Sequence, residues 1–76
     1  MTTMANPIPL TARERELVAA VVDGCANRDI ARRFAVSEQT VKNQLSVLFH
    51  KLGVNSRLEL AMYAVRQGLV ERPGRR

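Results

Sequence analysis

The sequence predicts an all-α domain, a four-helix bundle with a central helix-turn-helix, and three observations carry that prediction. Apolar side chains recur at three- and four-residue spacings in four separate runs, and no alternating strand pattern competes with them. Two runs open on the capping-box pattern, Thr11-Ala-Arg-Glu14 and Ser56-Arg-Leu-Glu59, and three close on a glycine followed by an apolar residue. Only Ala35 and Val36 separate the second run from the third, which is too short for antiparallel packing and suits a tight helix-turn-helix corner.

Each element follows from its own residues. Residues 1–9 contain Pro7 and Pro9 without periodicity and read as a flexible arm or the stub of a linker. The first helix starts at the Thr11 cap, carries Leu17, Val18, Val21 and Val22 on one stripe, and stops at Gly24. Asn27 is expected to cap a short second helix, 28 to about 35, with Ile30, Ala31 and Phe34 inward and Arg28, Arg32 and Arg33 outward. Ser37 caps the third, 38–52, whose Val41, Leu45, Leu48 and Leu52 share a narrow arc before Gly53. The fourth runs from the Ser56 cap to Gly68, with Leu58, Ala61, Met62 and Val65 expected as its main core stripe. Leu60 and Ala64, beside Tyr63 and Gln67, are then expected on the opposite side, as a contact surface for a partner. The domain spans 10–70, and 71–76, with Pro73, Gly74 and three Arg, is expected to be a flexible basic tail.

Composition narrows the function. A chain of 76 residues forms one small domain, and 46% hydrophobic against 25% charged residues fits a globular protein. Twelve Lys and Arg against seven Asp and Glu leave a net charge of +5, so an anionic partner is the first expectation, with nucleic acid leading. A basic domain that is merely well solvated would share that charge, so position has to decide. Cys25 is the only cysteine, which excludes an internal disulfide framework; it reads as an inert thiol packed behind a helix stop. His50 is the only histidine and has no companion ligands or nucleophile, so no metal, no cofactor, no small-molecule substrate and no enzymatic activity are expected. No run reaches the ~18 apolar residues of a membrane span and the N-terminus lacks a signal-peptide layout, so no membrane association and a cytoplasmic location are expected.

The third helix carries the positional argument. With Val41, Leu45, Leu48 and Leu52 inward, a rotation of about 100° per residue turns Gln39, Asn43, Ser46, Val47 and His50 outward, flanked by Lys42 and Lys51. Amides and a hydroxyl thus lie where base edges would be, and ammonium groups where the phosphate walls would be. An idle solvated helix is usually built from Glu and Lys pairs four residues apart. Here no carboxylate occurs between Gln39 and Leu52, and the one acid, Glu38, sits in the first turn where the helix dipole favours it. His50 is expected to meet a phosphate late in the helix.

The stretch 10–70, and within it LTARERE, the NRDIA run, SEQTVKN and KLGVNSR in that order and spacing, resembles the LuxR/FixJ/GerE-type DNA-binding domain of bacterial transcription regulators. The last block separates it from sigma-factor region four, which has a similar front half. The resemblance implies a sequence-specific regulator with a recognition helix in the major groove of double-stranded DNA, and a final helix that pairs two copies into a homodimer. By positional match it implies groove contacts from Lys42, Asn43 and Ser46, joined by Gln39 on the same face. It also implies phosphate-side roles for Ser37, Thr40, Lys51 and Arg57, either touching the backbone or holding the helix for it. Gln44 stands where the family often has His, and Ser46 where several members have a longer basic side chain. Family members are commonly joined to a receiver or ligand-binding domain, as in two-component response regulators, and this chain could be such an effector domain or a stand-alone regulator. The competing reading is a protein-interaction module that keeps the fold but binds a transcription partner instead of DNA.

Overall fold

The computed structural model describes residues 9–69, which form α1 (Ala12–Val22), α2 (Asn27–Phe34), α3 (Glu38–Leu52) and α4 (Arg57–Arg66), with no strand among the described residues. The arm expected over 1–9, apart from Pro9, and the tail expected over 71–76 lie outside the described residues. The closest packing is of α1 on α4 and of α2 on α3. One core joins both pairs, with Leu17, Val18, Ile30, Val41, Leu48 and Leu60 almost or wholly without solvent contact. Burying side chains of this size contributes about 1.5–3 kcal/mol each, the main term a domain this small has against chain entropy.

Local chemistry sets the helix starts. At α1 the capping box is complete: Thr11 Oγ1 accepts from the Glu14 amide at 3.0 Å and Glu14 Oε1 accepts from the Thr11 amide at 2.9 Å. At α3 Ser37 Oγ accepts from the Thr40 amide at 3.0 Å. At α4 Ser56 Oγ accepts from the Glu59 amide at 3.1 Å, but the Glu59 carboxylate reaches one residue further back, to the Asn55 amide at 2.8 Å. The expected reciprocal box there is therefore offset by one residue. The expected cap on α2 is also corrected. Ala26 occupies the cap position without a side-chain bond, and Asn27 is the first helical residue, its side chain used elsewhere.

All four helices end in the same way. At each end the amide of Gly24, Ala35, Gly53 or Gly68 bonds back three residues while the next amide bonds back five, as in Cys25 to the Ala20 carbonyl at 3.0 Å and Leu69 to Ala64 at 2.9 Å. Three of these ends use a glycine at positive φ, as the sequence predicts. The fourth, at the corner between α2 and α3, uses Ala35 at φ 59°, with Val36 folding back on the Ala31 carbonyl at 3.0 Å. The corner geometry is therefore reached at the cost of a left-handed alanine.

The rotation of α4 is the main departure from the sequence reading. Leu60 and Ala64 are 0% exposed and belong to the core, whereas Leu58 is 69% and Met62 49% exposed. The expectation that Leu60 and Ala64 form a contact surface for a partner is therefore wrong. Tyr63 packs partly against the core and only Gln67 of that set is exposed. The physical cause is Arg57, which lies three and seven residues before Leu60 and Ala64 and so on their stripe. Its guanidinium donates to Asn27 Oδ1 and to the Cys25 carbonyl, both at 2.6 Å, which turns that whole stripe toward the loop between α1 and α2.

Candidate nucleic-acid interface

The α2–α3 unit presents one helix face outward and holds it from behind. Small, buried Ala31 lets the two helices approach, half-buried Val36 fills the corner, and Val41, Leu45, Leu48 and Leu52 anchor α3 in the core. With that side fixed, Gln39, Lys42, Asn43, Ser46, Val47 and His50 are all exposed, as the helical spacing predicts. The structure brings the four expected groove residues, Gln39, Lys42, Asn43 and Ser46, together on that face. Two of them are coupled: Gln39 Nε2 donates to Asn43 Oδ1 at 3.0 Å. An amide oxygen has two lone pairs, so Asn43 keeps one acceptor site and its NH2 outside this bond while Gln39 fixes its orientation.

Four of the five side chains expected on the phosphate side are engaged within the protein. Ser37 Oγ caps α3 and also lies 2.9 Å from Thr40 Oγ1. Whichever hydroxyl donates within that pair, one O–H is left to point elsewhere. Lys51 is drawn to α1, where its Nζ donates to Glu14 Oε1 at 2.9 Å, so it ties the late part of α3 to the first turn of α1. Arg57 is the clamp on Asn27 and Cys25 described above. These two cations hold the helices together in this structure. His50 is the remaining member of the set, and it is exposed near the end of α3.

The flank of α3 nearest α1 carries features with no distinct signature in the sequence. An open groove of about 320 Å³ runs between α1 and α3, lined by Arg13, Glu14, Leu17, Asn43, Gln44 and Val47. Gln44 is half-buried there, and its Oε1 has no hydrogen-bond partner among the described residues. The Arg13 guanidinium lies 4.2 Å from the centroid of the Phe34 ring, which links the α1 start to α2 through a cation–π contact. Glu14 has its carboxyl held below the ordinary glutamate range, first by the Thr11 backbone amide and then by Lys51. Cys25 lies partly buried against the core with Arg33 Nη2 3.8 Å from its Sγ. Among the described residues there is no cluster that could hold a metal ion, and no helix is long and apolar enough to cross a membrane.

Comparison with known proteins agrees with this geometry. Residues 8–64 match the family described as bacterial regulatory proteins, luxR family. The transcriptional regulatory protein LnrK of Bacillus subtilis is 40% identical over 62 residues, covering 82% of this chain and 28% of that protein. The response regulator Rre1 of Synechocystis is 39% identical over 71 residues, 91% of this chain and 31% of its own length. The transcriptional regulatory protein YdfI of Bacillus subtilis is 36% identical over 70 residues, with shares of 92% and 33%. The chain spans about a third or less of the length of the curated relatives it matches. With its helix-turn-helix, its exposed carboxylate-free α3 face and a family match over most of its length, the chain belongs to the luxR family of DNA-binding bacterial transcription regulators.

Proposed function

We propose that this domain reads double-stranded DNA with α3 in the major groove and does so as a homodimer. The observation that carries the proposal is the outward face of α3. Gln39, Lys42, Asn43 and Ser46 are exposed together on a helix whose opposite side is locked in the core, and no carboxylate lies between Gln39 and Leu52. In this reading Asn43 and Ser46 meet base edges, Gln39 orients Asn43, and Lys42 lies on the rim of the groove. The spare hydroxyl proton of the Ser37 and Thr40 pair, with His50, serves the backbone. Lys51 and Arg57 act on DNA through the helices they hold.

The dimer surface in this proposal is the outer side of α4, with Leu58 and Met62 one turn apart at its centre. Reading two half-sites one DNA turn apart requires a two-fold pairing that sets the two α3 helices about 34 Å from each other. Control by a covalently linked receiver or ligand-binding domain belongs to the same proposal, and the response-regulator name of the relative Rre1 supports it.

Titrating the protein into labelled duplexes between 50 and 200 mM salt tests the reading. The logarithm of the association constant should fall linearly with the logarithm of salt, and a randomised pool should yield an enriched sequence with two half-sites. No retention of duplex at protein concentrations up to about 10⁻⁴ M would leave the protein-interaction module as the better description.

A further inference from the structure

Resting on the proposed DNA-reading role of α3, we infer that Val47 is a specificity residue that reads the 5-methyl group of a thymine. Val47 is 62% exposed on a face otherwise made of amides, hydroxyls and cations, and neither the capping of α3 nor its core side requires an apolar residue there. It sits one turn after Asn43 and only about 40° around the helix from it, on the edge of the face nearest α1. The thymine methyl is the one apolar group a base pair shows in the major groove, and it lies toward the outer edge of the groove. Val47 therefore offers an apolar contact at the side where that methyl is found.

The apolar contact comes from Val47 itself. The groove beside it is lined otherwise by the polar side chains of Arg13, Glu14, Asn43 and Gln44 and by Leu17, which is 1% exposed. Valine is also held to few rotamers on a helix, so little side-chain freedom is lost in making the contact. A rise of about 1.5 Å per residue puts Val47 roughly 6 Å along the axis from Asn43, so the thymine falls within about two base pairs of the base that Asn43 reads.

The test uses the duplex sequence selected by the wild-type chain from a randomised pool. Each thymine of a half-site is replaced singly by deoxyuridine, which removes only the methyl, and dissociation constants are measured by anisotropy for wild type, Val47→Ala and Val47→Ser. The base position read by Asn43 is located as the one whose preference Asn43→Ala loses. Within about two base pairs of it, one thymine should show an affinity loss of about four-fold on replacement with the wild type, the value expected for one buried methyl. Both Val47 variants should lose that sensitivity while melting at the wild-type temperature, since the side chain is exposed. An enriched sequence with no such thymine, or a deoxyuridine effect that survives in both variants, overturns the inference alone. A pool that yields no enriched sequence overturns the DNA-reading role itself.

Discussion

Lys51 near the end of α3 and Glu14 in the first turn of α1 meet at 2.9 Å, and the same Glu14 oxygen that accepts from Lys51 also closes the α1 capping box on the Thr11 amide. A helix cap and an interhelical tie thus share one carboxylate atom. This couples the start of α1 to the late part of α3, on the flank of the exposed face that Val47 borders.

That sharing makes the tie sensitive to acid. Glu14 is held below its ordinary range by the Thr11 amide first and Lys51 second, so its contribution to stability is present above the unfolded-state value near pH 4.3 and is lost as pH falls through the lower folded-state value. Glu14→Gln should cost up to about 1 kcal/mol at pH 7, a figure kept small because water reaches the pair. Thermal unfolding of both proteins from pH 7 down to pH 3 should show the gap between them closing as the wild-type carboxylate protonates.

Arg57 separates a structural cation from a DNA-facing one. Its fork spans Asn27 Oδ1 and the Cys25 carbonyl, so Arg57→Ala should destabilise the fold by about 2 kcal/mol, the range of bonds to a charged donor. Arg57→Lys should recover little, since an ammonium cannot reproduce the planar two-point geometry. At temperatures where the variants are folded, the salt dependence of DNA binding should match the wild type. A slope reduced by about one unit would instead put Arg57 on a phosphate.

Lys42 should behave in the opposite way. It is exposed on the rim of the α3 face and holds no hydrogen bond or ion pair among the described residues, so Lys42→Ala should leave thermal stability within about 0.5 kcal/mol. Binding to duplex should weaken across all sequences, and the salt slope should fall by about 0.9 as one counterion release is lost.

The corner residue Ala35 is a place where the natural sequence leaves stability unused. Its left-handed conformation is strained for any residue with a Cβ, and the other three helix ends solve the same geometry with glycine. Ala35→Gly should therefore stabilise the domain by about 1 kcal/mol, a melting-temperature gain of roughly 4–8 °C. Calorimetry reads this directly, and DNA affinity should stay at the wild-type level because Ala35 is outside the α3 face.

α1 and α3 were legible because each has one apolar stripe and a recognisable start and stop, whereas α2 was legible by its stripe alone, since it starts after Ala26 without a side-chain cap and stops on a left-handed Ala35. Leu17, Val18, Val21 and Val22, and later Val41, Leu45, Leu48 and Leu52, all lie in the core as their spacing implies. On α3 this also settled which residues face outward. α4 was not legible in the same way, because Leu58, Ala61, Met62 and Val65 and the pair Leu60 and Ala64 both satisfy helical periodicity. Counting apolar residues favours the first set, yet the second is buried, because Arg57 on its stripe is bound to the α1–α2 loop. The same clamp makes Arg57 a cation whose intramolecular partners are not legible in the sequence. Sequence shows where a cation is, but not whether a carbonyl or carboxylate of the same fold already holds it.

This inversion of α4 gives the dimer proposal a sharp test. Leu58 and Met62 are exposed, so Leu58→Glu and Met62→Glu should leave the folded monomer intact while abolishing self-association, read as a halved mass by sedimentation or light scattering. Losing the second copy should also cost far more affinity for a two-half-site duplex than for a single half-site, since linkage of the two binding events disappears. Leu60→Ala removes a wholly buried side chain instead and should cost 2–5 kcal/mol, by the usual range of about that size for a leucine cavity, without acting selectively on the dimer. If Leu58→Glu and Met62→Glu self-associate like the wild type, the copies meet elsewhere than on the outer side of α4.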